Sequence, residues 1–160
     1  MKEGEQARIL VVDDDENIQK SLSTVLQEKG YSVDVAADGK EAIAKSKAKF
    51  YNLALVDIRL PDMDGVELLT AMRETVPRMV KIIITGYPSL ENAIEAVNRG
   101  ADGYMTKPYT IDDLLAKIKE NLEKQEGAKR YDEERVKDFI ETRAKEYESS
   151  AEEKGKSKKK

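Results

Sequence analysis

The chain has 160 residues, a formal net charge of −4, and neither cysteine nor histidine. That length allows one well-packed domain with a short extension rather than two full domains. The acidic balance argues against a chain built as a whole to bind a polyanion. Disulfides, a thiol nucleophile and thiolate metal sites are excluded, as are Ser-His hydrolysis, imidazole ligands and a phosphohistidine of its own. Any metal must then be a hard cation held by oxygen, Mg²⁺ or Ca²⁺. There is no secretory apolar segment and no run near the roughly 18 apolar residues of a membrane span. The expected location is therefore the cytoplasm, without membrane association.

Residues 1–6 are polar and expected to be disordered. Five short apolar runs follow: Ile9-Leu10-Val11-Val12, Tyr31-Ser32-Val33-Asp34-Val35, Leu53-Ala54-Leu55-Val56, Val80-Lys81-Ile82-Ile83-Ile84 and Gly103-Tyr104-Met105. Three are nearly continuous rather than alternating, as in parallel strands buried on both faces. Helical periodicity fills the gaps. Ile18, Leu22, Val25 and Leu26 share one helix face, and Leu90, Ala93, Ile94 and Val97 share another. Ile111, Leu114, Leu115, Ile118 and Leu122 make the clearest stripe. Asp38-x-x-Glu41, Asp64-x-x-Glu67 and Thr110-x-x-Asp113 have capping-box spacing, while Gly30 and Gly100 stand where helices would stop. The reading is an α/β fold, (βα)₅, with one parallel sheet sandwiched by helices over residues 7–125.

The composition then changes. Residues 124–160 hold 12 Lys/Arg and 10 Asp/Glu, a mixture that raises the whole-chain charged fraction to 38% against a usual quarter. Residues 126–148 are expected to form a charged helical extension with a narrow stripe of Val136, Phe139, Ile140 and Tyr147. Either the domain itself or a partner could cover that stripe. Residues 149–160, ending in lysines, are expected to be a disordered tail.

In an open parallel sheet, ligands bind beyond the carboxyl ends of the strands, where the strand order reverses. The residues there are Asp13-Asp14-Asp15 after the first strand, Asp57 at the end of the third, Thr85-Gly86 after the fourth and Thr106-Lys107-Pro108 after the fifth. Carboxylates crowded into one crevice need a compensating cation. Mg²⁺ suits them, because it takes few carboxylates and completes its shell with water and phosphate oxygens. Thr85 could hydrogen-bond a phosphoryl oxygen and Lys107 could pair with another. The chemistry indicated is phosphoryl transfer to Asp57. Asp38 and Asp64 are set aside as helix caps, and Asp15 could be a cap or a member of the cluster, with capping preferred.

Four segments, in order, resemble the receiver domain of two-component response regulators. They are Ile9-Leu10-Val11-Val12-Asp13-Asp14; Leu55 through Gly65, reading LVDIRLPDMDG; Ile84-Thr85-Gly86; and Gly100 through Pro108, reading GADGYMTKP. The resemblance implies a flavodoxin-like doubly wound sheet of five strands and a signalling switch rather than a metabolic enzyme. It makes Asp57 the phosphoacceptor, Asp13 and Asp14 the acidic pair that holds Mg²⁺, and the backbone carbonyl of Arg59 a further metal ligand. Thr85 and Lys107 become the pair that reads the phosphoryl group. Tyr104, which alone reads as a core aromatic, becomes the switch. Lys107-Pro108 becomes a cis peptide. The implied donor is a sensor histidine kinase. The implied output, through the fourth helix, fifth strand and fifth helix, is a downstream protein target or self-dimerisation.

Two other readings compete. A Mg²⁺-dependent aspartyl-phosphate phosphohydrolase of the haloacid dehalogenase type would use Asp13-x-Asp15. Its pattern breaks at Glu16-Asn17, and no cap domain is present. A receiver fragment of a DNA-binding regulator is the other. Residues after 125 carry no helix-turn-helix pattern and no basic face, which argues against direct DNA binding by this chain.

Overall fold

The computed structural model describes residues 6–158, with side chains from 6 to 150. Two compact units divide the chain, Met1–Gln125 and Glu126–Lys160. The first contains β1 (Arg8–Val12), α1 (Glu16–Glu28), β2 (Ser32–Ala36), α2 (Gly39–Ala48) and β3 (Leu53–Asp57). It continues through α3 (Gly65–Ala71), β4 (Val80–Thr85), α4 (Leu90–Asn98), β5 (Gly103–Thr106) and the start of α5 (Ile111–Lys158).

The five strands form one parallel sheet in the order β2-β1-β3-β4-β5. The central strands read as apolar runs because both their faces are covered. On one face Leu10, Val12, Ala54, Val56 and Ile83 pack with Leu68, Leu69 and Ala96 of α3 and α4. On the other, Ile9, Val11, Leu55, Ile82 and Ile84 pack with Leu22 and Leu26 of α1 and Leu114 and Ile118 of α5. The order reverses at β1, so the loops after β1 and β3 diverge and leave a crevice between them.

Local chemistry explains the helix boundaries. Asp15 caps α1 by accepting from the Asn17 and Ile18 amides, which settles its role as a cap. Asp38, Asp64 and Thr110 accept from the first turns of α2, α3 and α5. Ser89 caps α4 through the Asn92 amide, a cap absent from the sequence reading. Gly30 and Gly100 end α1 and α4 at φ +91 and +92, where a Cβ would be strained.

Helix α4 departs from its sequence pattern. The stripe of Leu90, Ile94 and Val97 faces solvent at 78%, 52% and 66% exposure, and the helix is buried through Ala96. A small residue lets α4 approach the sheet closely, which leaves the large apolar side chains outside.

Residues 149–158, expected to be disordered, continue α5 as helix. Alanine, glutamate and lysine are good helix formers, and an existing helix extends without a new nucleation step. The expected disorder at residues 1–5 and 159–160 lies outside the described residues. In the second unit, Val136, Phe139, Ile140 and Tyr147 lie exposed along the helix.

The Tyr51 hydroxyl, in a buried residue just before β3, donates to Asp34 of β2 at 2.6 Å. That bond, aided by Lys49, holds the Asp34 carboxyl below the usual carboxylate range, against a smaller opposing effect of burial. Its stabilisation is present above the ordinary value of 3.8 and is lost as pH falls through the depressed folded value. Tyr51→Phe should therefore lose about 1 kcal/mol near neutral pH, a charge-assisted bond discounted for partial exposure. In denaturant titrations from pH 7 to pH 2 the gap from wild type should narrow below that value.

Candidate functional site

The end of β1 carries Asp13, 5% exposed, and the end of β3 carries Asp57. Each of Asp13, Asp14 and Asp57 offers a carboxylate oxygen, and these atoms all lie within 4.8 Å of one another. From β5, Lys107 places its Nζ 3.4 Å from Asp57 Oδ2 and 3.7 Å from Asp13 Oδ2. One ammonium thus answers two of the three clustered carboxylates. Burial raises the Asp13 carboxyl above its usual range, and Asp57 pushes the same way. The Asp15 amide, which donates to Asp13 Oδ1 at 2.9 Å, and Lys107 oppose that shift without cancelling it. The remaining negative charge in a half-buried, all-oxygen cluster is what a hard divalent cation would offset. These residues fit Mg²⁺.

Neighbouring groups fix the cluster. Gln19 of α1 donates to the Asp13 carbonyl at 2.6 Å, and the Arg59 amide donates to Asp57 Oδ1 at 3.3 Å. Gly65 approaches the strand end so closely that a Cβ there would overlap the Asp57 carbonyl oxygen and stand 2.9 Å from Ile58 Cα. Tyr109 lines a small cavity together with Asp13, Asp57, Ile18 and Lys107, and burial raises its hydroxyl above the ordinary tyrosine range. The Lys107–Pro108 peptide is cis, as is Val76–Pro77.

Thr85 ends β4 fully buried, and its Oγ1 accepts from the Tyr87 amide at 2.9 Å. The Tyr87 ring in turn lies under the Arg59 guanidinium, 3.6 Å from ring centroid to Cζ. A cation–π contact therefore joins the loop after β3 to the loop after β4. Sequence reading assigned Arg59 only a backbone role and overlooked Tyr87; no local pattern pairs residues 28 positions apart. Tyr104 packs against the α3/α4-side core. Its hydroxyl is buried without a hydrogen-bond partner among the described residues. Such an atom favours any rearrangement that brings it an acceptor.

The structure thus clusters Asp13, Asp14 and Asp57 and sets Lys107 against Asp13 and Asp57, with Thr85 ending the strand beside Asp57 and Tyr104 on the strand beyond. Such a pocket belongs to a class of signalling domain that takes up a phosphoryl group at the carboxyl edge of a doubly wound sheet. The chain belongs to the response regulator receiver domains of two-component systems, whose family model matches residues 9–119.

A CheY-like receiver domain protein from Methanospirillum hungatei is 49% identical, with a TM-score of 0.75 over 78% of this chain and 99% of that one. A response regulator from Burkholderia pseudomallei, solved with a phosphorylated aspartic acid, a calcium ion and citrate, is 28% identical. Its TM-score is 0.65 over 77% of this chain and 72% of that one. The transcriptional regulatory protein YkoG of Bacillus subtilis is 35% identical over 80% of this chain, and the match spans 56% of its own length.

Two outcomes test this geometry. Gly65→Ala should lose about 2–3 kcal/mol in denaturant unfolding despite alanine's better helix propensity, because the Asp57 backbone has to move. Asp13→Asn should raise the thermal midpoint of the metal-free protein, by the equivalent of about 1 kcal/mol, through relief of carboxylate repulsion. The same variant should lose the stabilisation that wild type gains from added Mg²⁺, measured by melting with EDTA and with the metal.

Proposed function

We propose that Asp57 of this chain accepts a phosphoryl group from the phosphohistidine of a sensor histidine kinase. A carboxylate oxygen of Asp57 attacks phosphorus in line, the N–P bond to the donor imidazole breaks, and an acyl phosphate forms. The single observation that carries this reading is Asp57 at a strand end, clustered with Asp13 and Asp14 and faced by Lys107. Asp13, Asp14, Asp57 and the Arg59 carbonyl would hold Mg²⁺. Bound there, the ion would neutralise repulsion between the carboxylates and the incoming phosphoryl oxygens. Lys107 exchanges its contacts with Asp57 and Asp13 for one to a phosphoryl oxygen. Thr85, whose hydroxyl is free to donate while its oxygen accepts from Tyr87, turns toward another.

Movement of Thr85 pulls on the Tyr87 amide and on the loop that leads into α4. Tyr104 stands beside Ile83 in the strand register, two positions before Thr85, so movement at Thr85 would be coupled to a shift of the tyrosine ring. The result is a population shift toward the arrangement that the phosphate binds best. Tyr87, Leu90, Ile94 and Val97 make an exposed apolar patch at and along α4, the kind of surface that marks a partner site. It supports an output through α4, β5 and α5 to a downstream protein or a second copy. The presence of Asp15 on the helix cap, rather than in the acidic cluster, counts against the phosphohydrolase alternative. The domain would then be a switch whose chemistry is confined to its own phosphorylation and dephosphorylation, working in the cytoplasm.

Incubation with acetyl phosphate and Mg²⁺ should add one phosphate, mapped by mass spectrometry to Asp57. Asp57→Asn should abolish it. Thr85→Ala should still be phosphorylated yet fail to transmit the change to the amides of α4, followed by NMR. Phosphate uptake by Asp57→Asn at the wild-type rate would sink the proposal.

A further inference from the structure

At the amino edge of the sheet, away from Asp57, a cleft of about 220 Å³ opens between the carboxyl ends of α3 and α4. In the strand register Lys81 stands beside Ala54 and Asp57 beside Ile84, a separation of roughly 10 Å along the strands. Arg73, Arg78, Lys81 and Arg99 line the cleft, with Glu74 as its one carboxylate.

Part of this charge has a structural use. The Lys81 ammonium donates to the Leu69 carbonyl at 2.6 Å, and Arg78 donates to the Gly100 carbonyl at 3.3 Å. Lys81 thereby answers one terminal carbonyl of α3, and Arg78 answers the Gly100 carbonyl just past α4, which reduces the negative potential an anion would meet there. Arg78 is also paired with Asp102, and Arg99 with Glu95 at 3.1 Å. Both oxygens of Asp102 are engaged, the second accepting from the Lys81 amide at 2.9 Å.

Two cations exceed these needs. Arg73 has no carboxylate partner among the described residues, and neither does Lys81, which is only 7% exposed. A buried ammonium bonded to a single carbonyl keeps two N–H donors to spare, and with no carboxylate in direct contact among the described residues it is in an expensive state that a bound anion would relieve. Burial and the nearby Arg78 guanidinium lower the Lys81 ammonium below the usual lysine range, with Glu74 and Asp102 opposing. The Thr70 hydroxyl, 3.5 Å from Arg99 Nη1, adds a neutral hydrogen-bonding group at the same place.

We propose that this cleft is a second anion site, taking the phosphate or pyrophosphate group of a small ligand. Guanidinium groups bind phosphoryl oxygens bidentately, and Lys81 supplies a point charge at the floor. The volume falls below the roughly 300 Å³ at which pockets for whole drug-sized ligands begin. It admits a pyrophosphate group, with any attached nucleoside left outside.

The full chain, free of Mg²⁺ so that the acidic pocket repels anions, would be titrated separately with sodium pyrophosphate, inorganic phosphate and ADP while backbone amide shifts are followed. Saturable one-to-one shifts at Thr70, Lys81 and Gly100 are expected, unchanged in Asp57→Asn. Binding by the inorganic anions identifies a free-anion site, and binding by ADP alone identifies a nucleotide-borne group. Arg73→Gln, which breaks no ion pair seen here, should weaken binding severalfold, and Arg73→Gln with Arg99→Gln by about tenfold or more. The proposal fails if none of the three saturates or if the shifts centre on Asp13 and Asp57. Unchanged affinity in Arg73→Gln would overturn it equally, whatever the double variant does to folding.

Discussion

Asp13, Asp14 and Asp57 crowd together where β1 and β3 end, and the rest of the receiver unit serves to hold that repulsive group in place. Strands β1 and β3 are neighbours with both faces covered, so their ends cannot drift apart to relax the carboxylates. Gly65 lets α3 start hard against the Asp57 backbone, and β5 carries Lys107 across from the far side of β4. The single ammonium leaves a charge deficit. A domain with this deficit is poised to take up a cation and then an anion, and apolar packing elsewhere stabilises the arrangement.

The loops above the cluster are tied to one another as well as to their strands. The Asp57 side chain accepts from the Arg59 amide, the Arg59 guanidinium covers Tyr87, and the Tyr87 amide donates to Thr85. These three contacts form a chain from the carboxylate at the end of β3 to the hydroxyl at the end of β4, running through the loops rather than through the sheet. Tyr104, whose hydroxyl has no partner among the described residues, sits one strand further on. Contacts of this kind are individually weak, which suits a segment that has to rearrange when charge is added.

The two edges of the sheet carry opposite electrostatics. Carboxylates gather where the strands end, and cations gather at the other edge, where α3 and α4 end. At the basic edge the helix carbonyls account for some of the cations but not for Arg73 or for the full donor capacity of Lys81. Apolar side chains on the outer face of α4 lie between these regions. They are free to be exposed because Ala96, not Leu90 or Ile94, makes the close approach to the core.

Sequence periodicity by itself determined the strand and helix order, most caps, the glycine stops and which residues would meet beyond the strands. Each follows from interactions within a few residues or from the rule that parallel strands share a carboxyl edge. Residue chemistry and the four motif segments then singled out Asp13, Asp14, Asp57, Thr85 and Lys107. Tertiary structure decided which face of α4 is buried, because helical spacing marks an apolar stripe without saying whether a smaller residue opposite packs better. It decided that Asp15 caps α1 rather than joining the cluster, a choice of rotamer and loop path. In the sequence Lys81 is part of an apolar strand run, and Arg73, Arg78 and Arg99 stand in no motif. Only the packing of α3 against α4 converges them on one cleft, because their meeting depends on distances through space that no run of neighbouring residues encodes.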